Sequence, residues 1–276
     1  MKQHITWHRS GFAPGFTAIT RHDQPDNPSG ISIGVLQLQA GEQLTIPVER
    51  ETAWLLMSGA VRGAAAGERF DFSRDSLFDE TASCVHVAAG ATVSIEAGRA
   101  TELTVYECAN QAQFAPRVFG PAQVPNERRG RGQVGERALR YVRTIFDRSN
   151  SPVEVELVLG EVVTFPGGWS SYPPHHHPQH EIYHYRFTKP QGYGHAELGD
   201  AVMKVQQYDT IQIPAGLDHA QCAAPGYGMY YSWVIRHLPH NPYIVPEFTP
   251  EHAWTLQPDA NYWCPPELKN WAEELS

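Results

Sequence analysis

Two short histidine-containing segments impose the strongest constraint on how this chain can fold. They are Pro173-Pro174-His175-His176-His177-Pro178-Gln179-His180-Glu181 and Pro214-Ala215-Gly216-Leu217-Asp218-His219. Residues two apart on a strand point to the same face, so His175 and His177 can bind one ion while the histidine between them points away. Glu181 keeps that parity if the strand continues after a short bend. The fold is therefore expected to bring both segments to one metal site.

The donor set of this site indicates which ions it would take. The predicted metal ligands are His175, His177, Glu181 and His219. Three nitrogens and one oxygen suit one divalent ion such as zinc, manganese, iron, cobalt or nickel, and leave positions open for water or substrate. A Pro- and His-rich stretch can also be a solvated loop that binds metal adventitiously. The second segment, on a Pro-Gly turn between apolar runs, favours a true site, with His176 and His180 as alternative ligands.

Length and composition predict an all-β chain. Its 276 residues allow two domains of about 130 residues, each able to bury a core. Hydrophobic residues make up 41%, and 23 Gly and 22 Pro favour turns. Alternating apolar runs predict strands in both halves. They span 31–38, 53–57, 85–87, 93–95 and 103–106 in the first half, and 153–158, 182–187, 201–205, 210–213 and 229–235 in the second.

Charge and hydropathy exclude several classes of partner. The net charge of -9 argues against a nucleic-acid or anionic membrane partner. No run of apolar residues is long enough to span a membrane, and the first residues lack an apolar signal core. We therefore expect a cytoplasmic protein that acts on a small molecule. The cysteines lack C-x-x-C spacing and are assigned no role; they are Cys84, Cys108, Cys222 and Cys264.

Both histidine segments resemble the two metal-binding motifs of the cupin family. The resemblance implies two tandem cupin (jelly-roll) barrels, a bicupin, with an N-terminal domain over 1–124 and a C-terminal domain over 125–276. The halves echo each other, since the segment beginning at Glu51 is similar to that beginning at Glu181. Between Gly41 and Glu51 there is no His, so the first barrel is expected to lack metal ligands.

A polar Gly/Arg stretch joins the two halves. It contains G-x-G-x-x-G at 130–135, but it follows Pro, Asn, Glu and two Arg rather than an apolar strand, so a dinucleotide-binding reading is rejected. Arginines here are commonly solvated, yet Arg is also the residue that binds a carboxylate through two hydrogen bonds. The candidate clamps are Arg128, Arg129 and Arg131, with Arg140 and Arg143 as alternatives on the next strand.

Several segments resemble the 5-deoxy-glucuronate isomerase family of inositol catabolism, which belongs with the keto-deoxyuronate isomerases among bicupins. They include Glu51-Thr52-Ala53-Trp54-Leu55, Arg129-Gly130-Arg131-Gly132, Trp169-Ser170-Ser171-Tyr172-Pro173-Pro174-His175, Glu181-Ile182-Tyr183 and Tyr227-Gly228-Met229-Tyr230-Tyr231. The resemblance implies a metal held by the four predicted ligands. It also implies an aldose-ketose isomerisation of 5-deoxy-glucuronate to 5-dehydro-2-deoxygluconate.

Such an isomerisation moves a proton between neighbouring carbons through an enediol, or a hydride directly. A divalent ion would act as the Lewis acid on the oxygens. The candidates for handling the proton are Glu181, Tyr183 and Tyr185, because they share one strand face. The predicted substrate-binding residues are Arg129, Arg131, Arg143, Gln221 and Tyr231.

Two other classes of function stay open at this point. A cupin dioxygenase would use the same ligands with iron, nickel or copper and would consume oxygen. A non-catalytic sugar-binding cupin would hold its metal structurally or not at all. The C-terminal end carries Trp254, Trp263 and Trp271, which fit packing on a barrel, packing at a subunit boundary of a homo-oligomer, or a loosely held tail.

Overall fold

The computed structural model describes residues 3–257 and 259–265, and their regular structure is almost entirely β-strand. The only helices in this part of the chain are three short 3-10 turns: η1 (Pro121–Gln123), η2 (Val134–Glu136) and η3 (Ala253–Leu256). The all-β prediction is confirmed. No helix among the described residues has the length and hydropathy needed to cross a membrane.

The strands divide between the two halves of the chain. The first half contains β1 (His4–Ile5), β2 (Gly15–Thr20), β3 (Ile31–Leu38), β4 (Gln43–Pro47), β5 (Glu51–Ala65), β6 (Glu68–Arg74), β7 (Cys84–Val87), β8 (Thr92–Ala97), β9 (Thr101–Cys108) and β10 (Arg117–Phe119). The second half contains β11 (Glu127–Arg129), β12 (Arg140–Phe146), β13 (Leu157–Thr164), β14 (Trp169–His176), β15 (Glu181–Phe187), β16 (Tyr193–Leu198), β17 (Ala201–Gln206), β18 (Thr210–Ile213), β19 (His219–Ala223), β20 (Met229–Arg236) and β21 (Glu247–Phe248).

Antiparallel pairing organises these strands into three sheets. The first half forms a nine-stranded sheet whose main path is β10-β7-β5-β9-β3-β2. The second half forms a five-stranded sheet, β17-β16-β19-β14-β21, and most of a seven-stranded sheet, β1-β18-β15-β20-β13-β12-β11. The N-terminal strand joins this last sheet, since His4 pairs with Ile211. The start of the chain therefore packs on the second barrel.

Three apolar cores stabilise the arrangement. One fills the first barrel with side chains such as Trp54 and Leu103. Another fills the second barrel around Tyr185 and Tyr231. The third lies between the nine- and seven-stranded sheets, where Leu55 of the first half packs in one cluster with residues of the second. The seven-stranded sheet is thus covered on both faces, and every residue of β13 and β15 is buried.

One predicted strand is wrong in position. The apolar run 153–158 was expected to be extended, but residues up to 156 form a turn and coil, and Val153 is 69% exposed. The strand is β13, which contains Gly160 and the charged Glu161. Both depend on distant partners, because the Trp233 indole lies over Gly160 and Arg74 pairs with Glu161. Local alternation carries no signal for such contacts.

The C-terminal part of the described chain continues across the second barrel. Strand β21 pairs with β14, opposite His175 and His176. Trp254 lies in η3 and is 48% exposed, Trp263 is 85% exposed, and Trp271 lies outside the described residues. The domain boundary after residue 124 stays a prediction.

Candidate metal centre

Three strand ends of the second barrel converge at one position. His175 lies near the end of β14 and pairs with His219, which begins β19, in the five-stranded sheet. Glu181 begins β15 in the seven-stranded sheet. His177 follows β14 directly. Both sheets of the barrel therefore contribute to the same site.

The tightest group at this position is His177, Glu181 and His219. Glu181 Oε2 lies 3.3 Å from His177 Nε2 and 3.2 Å from His219 Nε2. All three side chains are buried, and their potential ligand atoms lie within 4.8 Å of one another. Three of the four predicted ligands are thus close enough to share one ion.

The fourth predicted ligand, His175, borders this group without belonging to it. Its ring centroid lies 4.4 Å from that of His219. The alternative ligands face elsewhere, because His176 Nδ1 lies 2.7 Å from Asp218, and His180 Nδ1 accepts a hydrogen bond from the backbone of Ala215. Among His175, His176 and His180, only His175 therefore lies beside the group formed by His177, Glu181 and His219.

The electrostatic state of the site suits a cation. Burial, followed by repulsion from His219, lowers the pKa of His175 to about 3. Burial alone raises the pKa of Glu181, but hydrogen bonds with His177 and His219 outweigh it and lower the pKa to about 2. A neutral imidazole and an ionised carboxylate are the forms in which these groups bind metal.

Histidine orientation provides a further test of fit. His219 Nδ1 lies 3.1 Å from the carbonyl oxygen of Leu217, and its buried Nε2 faces Glu181 Oε2 at 3.2 Å. His175 Nδ1 similarly lies 3.3 Å from the carbonyl oxygen of Pro173. Metal-binding histidines commonly donate their second N–H to such a carbonyl. The residues therefore fit a divalent metal bound through His219 Nε2 and its neighbours.

A continuous chain of hydroxyl groups lies on the inner face of the same barrel. Ser171 Oγ is 3.0 Å from both the Tyr183 and the Tyr231 hydroxyl. Tyr231 then donates to Ser170 at 2.9 Å, and Thr164 donates to Ser170 at 2.6 Å. We call these five residues the hydroxyl chain. It begins two residues from Glu181 and can carry a proton through the barrel interior.

Tyr185 and Gln221 form a separate pair in this interior. The Tyr185 hydroxyl donates to Gln221 Oε1 at 2.7 Å, and both side chains are fully buried. Gln221 Nε2 is buried and has no hydrogen-bond partner within the described part of the chain. Gln221 therefore has N–H groups available for the predicted contact with a substrate oxygen, which stays a prediction, whereas the Tyr185 hydroxyl already donates to Gln221.

The predicted arginine clamps fall at three different places. Arg129 is about half exposed and pairs with Glu127 at 2.8 Å. Arg131 is exposed, in the turn before η2. The G-x-G-x-x-G stretch leads into that three-residue 3-10 turn and not into an α-helix.

Arg143 does not reach the interior of the second barrel. It is fully buried beside the first half of the chain, where it contacts Glu161 and Asn126 and donates to the carbonyl oxygens of Leu77 and Phe78. This position does not favour the prediction that Arg143 binds substrate, because its donors already have protein partners. Sequence parity alone could not show which face of β12 meets the site.

Three residues at the site were not anticipated from the sequence. Ser171 enters the barrel interior because the β14–β19 register shifts between Ser170 and His175. The rings of Tyr243 and Phe248 lie 5.0 Å from His177 and 5.9 Å from His175. A β-bulge commonly re-aims a side chain beside an active site. The Ser-Ser-Tyr-Pro-Pro run was the available signal for Ser171, and no local pattern pointed to the two C-terminal rings.

Comparison with known proteins identifies relatives of this chain. The sequence model of the KduI/IolB family matches residues 7–255. A 5-deoxy-glucuronate isomerase from Geobacillus thermodenitrificans is 27% identical over 76% of this chain and 80% of its own length. One from Lacticaseibacillus casei is 28% identical over 82% and 87%.

Solved structures agree with this relationship. An IolB-like protein from Salmonella typhimurium LT2 superposes with a TM-score of 0.75 and 25% identity, covering 89% of this chain and 97% of that protein. A cupin 2 conserved barrel domain protein from Leptotrichia buccalis has a TM-score of 0.52 and 15% identity, covering 85% and 96%. The second match supports the cupin fold predicted from the two motifs.

Proposed function

Because this chain belongs to the KduI/IolB family and is an isomerase, we propose that it converts 5-deoxy-glucuronate into 5-dehydro-2-deoxygluconate using one divalent metal. The observation that carries the proposal is the convergence of His177, Glu181 and His219 beside the hydroxyl chain. The activity named for the relatives supports the choice of substrate. The reaction would belong to inositol catabolism in the cytoplasm.

We assign the metal to His175, His177, Glu181 and His219 in the second barrel. When bound, a divalent ion supplies a Lewis acid that polarises the substrate carbonyl. The candidates are zinc, manganese, iron, cobalt and nickel, which accept mixed imidazole and carboxylate ligands. In this arrangement Glu181 is a ligand, and the proton is handled elsewhere.

The isomerisation needs no oxidant or reductant. The proton on carbon 2 leaves, a proton is delivered to carbon 1, and the hydroxyl proton moves from the oxygen of carbon 2 to the oxygen of carbon 1. The aldehyde thereby becomes an alcohol and the neighbouring alcohol becomes a ketone. A group that both accepts and donates a proton is sufficient for these transfers.

Tyr183 is the residue best placed for proton transfer. It lies two residues from Glu181 on β15, and its ring centroid is 6.0 Å from that of His219. Its hydroxyl is hydrogen-bonded to Ser171 and continues through Tyr231. The hydroxyl chain can therefore relay a proton to and from Tyr183 without water entering the barrel. We assign Gln221 and Tyr231 to substrate binding.

Elemental analysis and isomerase assays on the same samples test the proposal. The wild-type protein is expected to hold near one equivalent of metal and to convert 5-deoxy-glucuronate. The His219→Ala variant should lose both. Metal without turnover would refute the substrate assignment, and oxygen uptake with other compounds would then favour a cupin dioxygenase. Turnover by a metal-free protein would refute the metal assignment.

A further inference from the structure

Arg140 lies on the inner face of the second barrel, and no carboxylate of the described residues forms an ion pair with it. It begins β12 and pairs with Thr164, a member of the hydroxyl chain. Val142, two residues on, packs in the core of the second barrel. Because residues two apart on a strand share a face, Arg140 also points into this barrel. Arg143 has the opposite parity, which explains why it lies outside.

The donors of Arg140 are only partly used. Nη1 donates to the carbonyl oxygen of Ala138 at 2.8 Å and Nη2 to that of Tyr172 at 3.2 Å. Its Nε is buried and has no hydrogen-bond partner. Within residues 3–257 and 259–265, no carboxylate forms an ion pair with it. Arg140 is half-buried, and a cation withdrawn from water in this way is stabilised when a ligand supplies the negative charge.

The local backbone makes room for this guanidinium. A Cβ atom on Gly130 would lie 3.0 Å from Arg140 Nη1 and 2.2 Å from the carbonyl oxygen of Ala138. Gly130 also has a φ of 79°, which side-chain-bearing residues rarely adopt. The glycine therefore permits the turn to pass close to Arg140. The other cations of this region are exposed or already paired with Glu127 and Glu161.

We propose that Arg140 binds the carboxylate of a sugar-acid substrate and so selects acids over neutral aldoses. The inference rests on the proposed function, whose substrate carries an aldehyde at one end and a carboxylate at the other. The metal residues would receive the aldehyde end, and Arg140, across the hydroxyl chain, would receive the acid. The planar guanidinium group of Arg140 can form two parallel hydrogen bonds with a carboxylate.

Kinetics on a matched pair of substrates test this role. The acid is 5-deoxy-glucuronate, and its neutral counterpart is 5-deoxy-glucose, in which a hydroxymethyl group replaces the carboxylate. Arg140→Met should lose roughly 10- to 100-fold in kcat/KM for the acid, mainly through KM, because hydrogen bonds to a charged group are lost. Its kcat/KM for the neutral aldose should change by less than about threefold on the same reasoning.

Two further variants sharpen the comparison. Arg128 was also a candidate clamp, but the structure leaves it exposed and opposite Tyr141, on the face of the sheet that does not meet the site, so Arg128→Met should behave as wild type. Arg140→Lys keeps the positive charge but cannot form two parallel hydrogen bonds with a carboxylate. Its kcat/KM for the acid should therefore lie between those of Arg140→Met and the wild type. Metal content should be unchanged throughout. Should Arg140→Met fail to fold, Arg140→Gln, which can still donate to a backbone carbonyl, takes its place.

Several outcomes would overturn the inference. One is an equal loss on acid and neutral substrates in Arg140→Met at full metal content. Another is an equal loss on the acid in Arg128→Met. If the wild-type protein turns over neither sugar, calorimetric binding of glucuronate and glucose decides. A preference for glucuronate that disappears in Arg140→Met would support carboxylate binding by Arg140, although the proposed function would have failed. If the wild type shows no preference, carboxylate binding by Arg140 is refuted.

Discussion

Replacing Glu161 by Gln is expected to destabilise the protein strongly, because this carboxylate lies between two buried arginines at the contact of the two halves. Glu161 is fully buried in β13. It accepts hydrogen bonds from Arg74 at 2.6 and 2.8 Å, from Arg143 at 3.3 Å and from the Tyr230 hydroxyl at 2.7 Å. Gln would remove the negative charge and direct an N–H group towards guanidinium donors.

The structure sets the size of the effect. Removing one partner of a buried ion pair costs about 3–5 kcal/mol, since the remaining charge is left without compensation. For cooperative unfolding of 276 residues, the unfolding entropy is about 0.6 kcal/mol/K. The expected decrease in melting temperature is therefore about 5–8 °C.

Thermal unfolding followed by circular dichroism measures this change. The matched control is Glu96→Gln, which removes the carboxylate of the exposed Arg62–Glu96 pair. Such pairs contribute little, so the melting temperature of the control should equal that of the wild type within error. A decrease of less than about 2 °C in Glu161→Gln would refute the argument that this carboxylate neutralises the buried arginines.

The stability that Glu161 contributes is also expected to depend on pH. Burial alone raises the pKa of Glu161, but the charges of Arg74 and Arg143 and the hydrogen bonds outweigh it and hold the pKa below its usual 4.5. A depressed pKa in the folded state adds stability that is fully present above the unfolded-state pKa. The difference between wild type and Glu161→Gln should therefore be constant from pH 6 to 8 and shrink progressively below about pH 4.5.

Three further predictions concern the proposed metal site in the second barrel. A chelator should lower the melting temperature of the wild type, through loss of a ligand that binds the folded state, and leave His219→Ala unchanged; equal shifts in both would contradict the assigned ligands. Tyr183→Phe should keep its metal but lose roughly 100- to 10,000-fold in kcat, with a smaller loss in Tyr185→Phe, and full turnover in Tyr183→Phe would exclude its role. Turnover in deuterated water, followed by NMR, should place deuterium on carbon 1 of the original aldose, whereas its absence would contradict exchange of the relayed proton along the hydroxyl chain.

The sequence alone predicted the all-β class, the cupin fold and the family. Those predictions depend on local information: alternation along strands, Gly and Pro at turns, and the spacing of histidines in two short motifs. The run from Trp169 to His175 carried much of the family resemblance. The convergence of His177, Glu181 and His219 could be predicted for the same reason, since strand parity and motif spacing constrain which side chains can meet.

Tertiary structure decided which of several equivalent residues face the site. Arg140 and Arg143 lie three positions apart, yet Arg140 enters the second barrel and Arg143 pairs with Glu161 beside the first half. Ser171 reaches Tyr183 through a register shift, and Tyr243 comes from a distant C-terminal segment. These placements follow from pairing between strands that are far apart in the chain. The periodicity of a single segment does not specify which distant strand it pairs with, so the sequence pattern alone could not predict them.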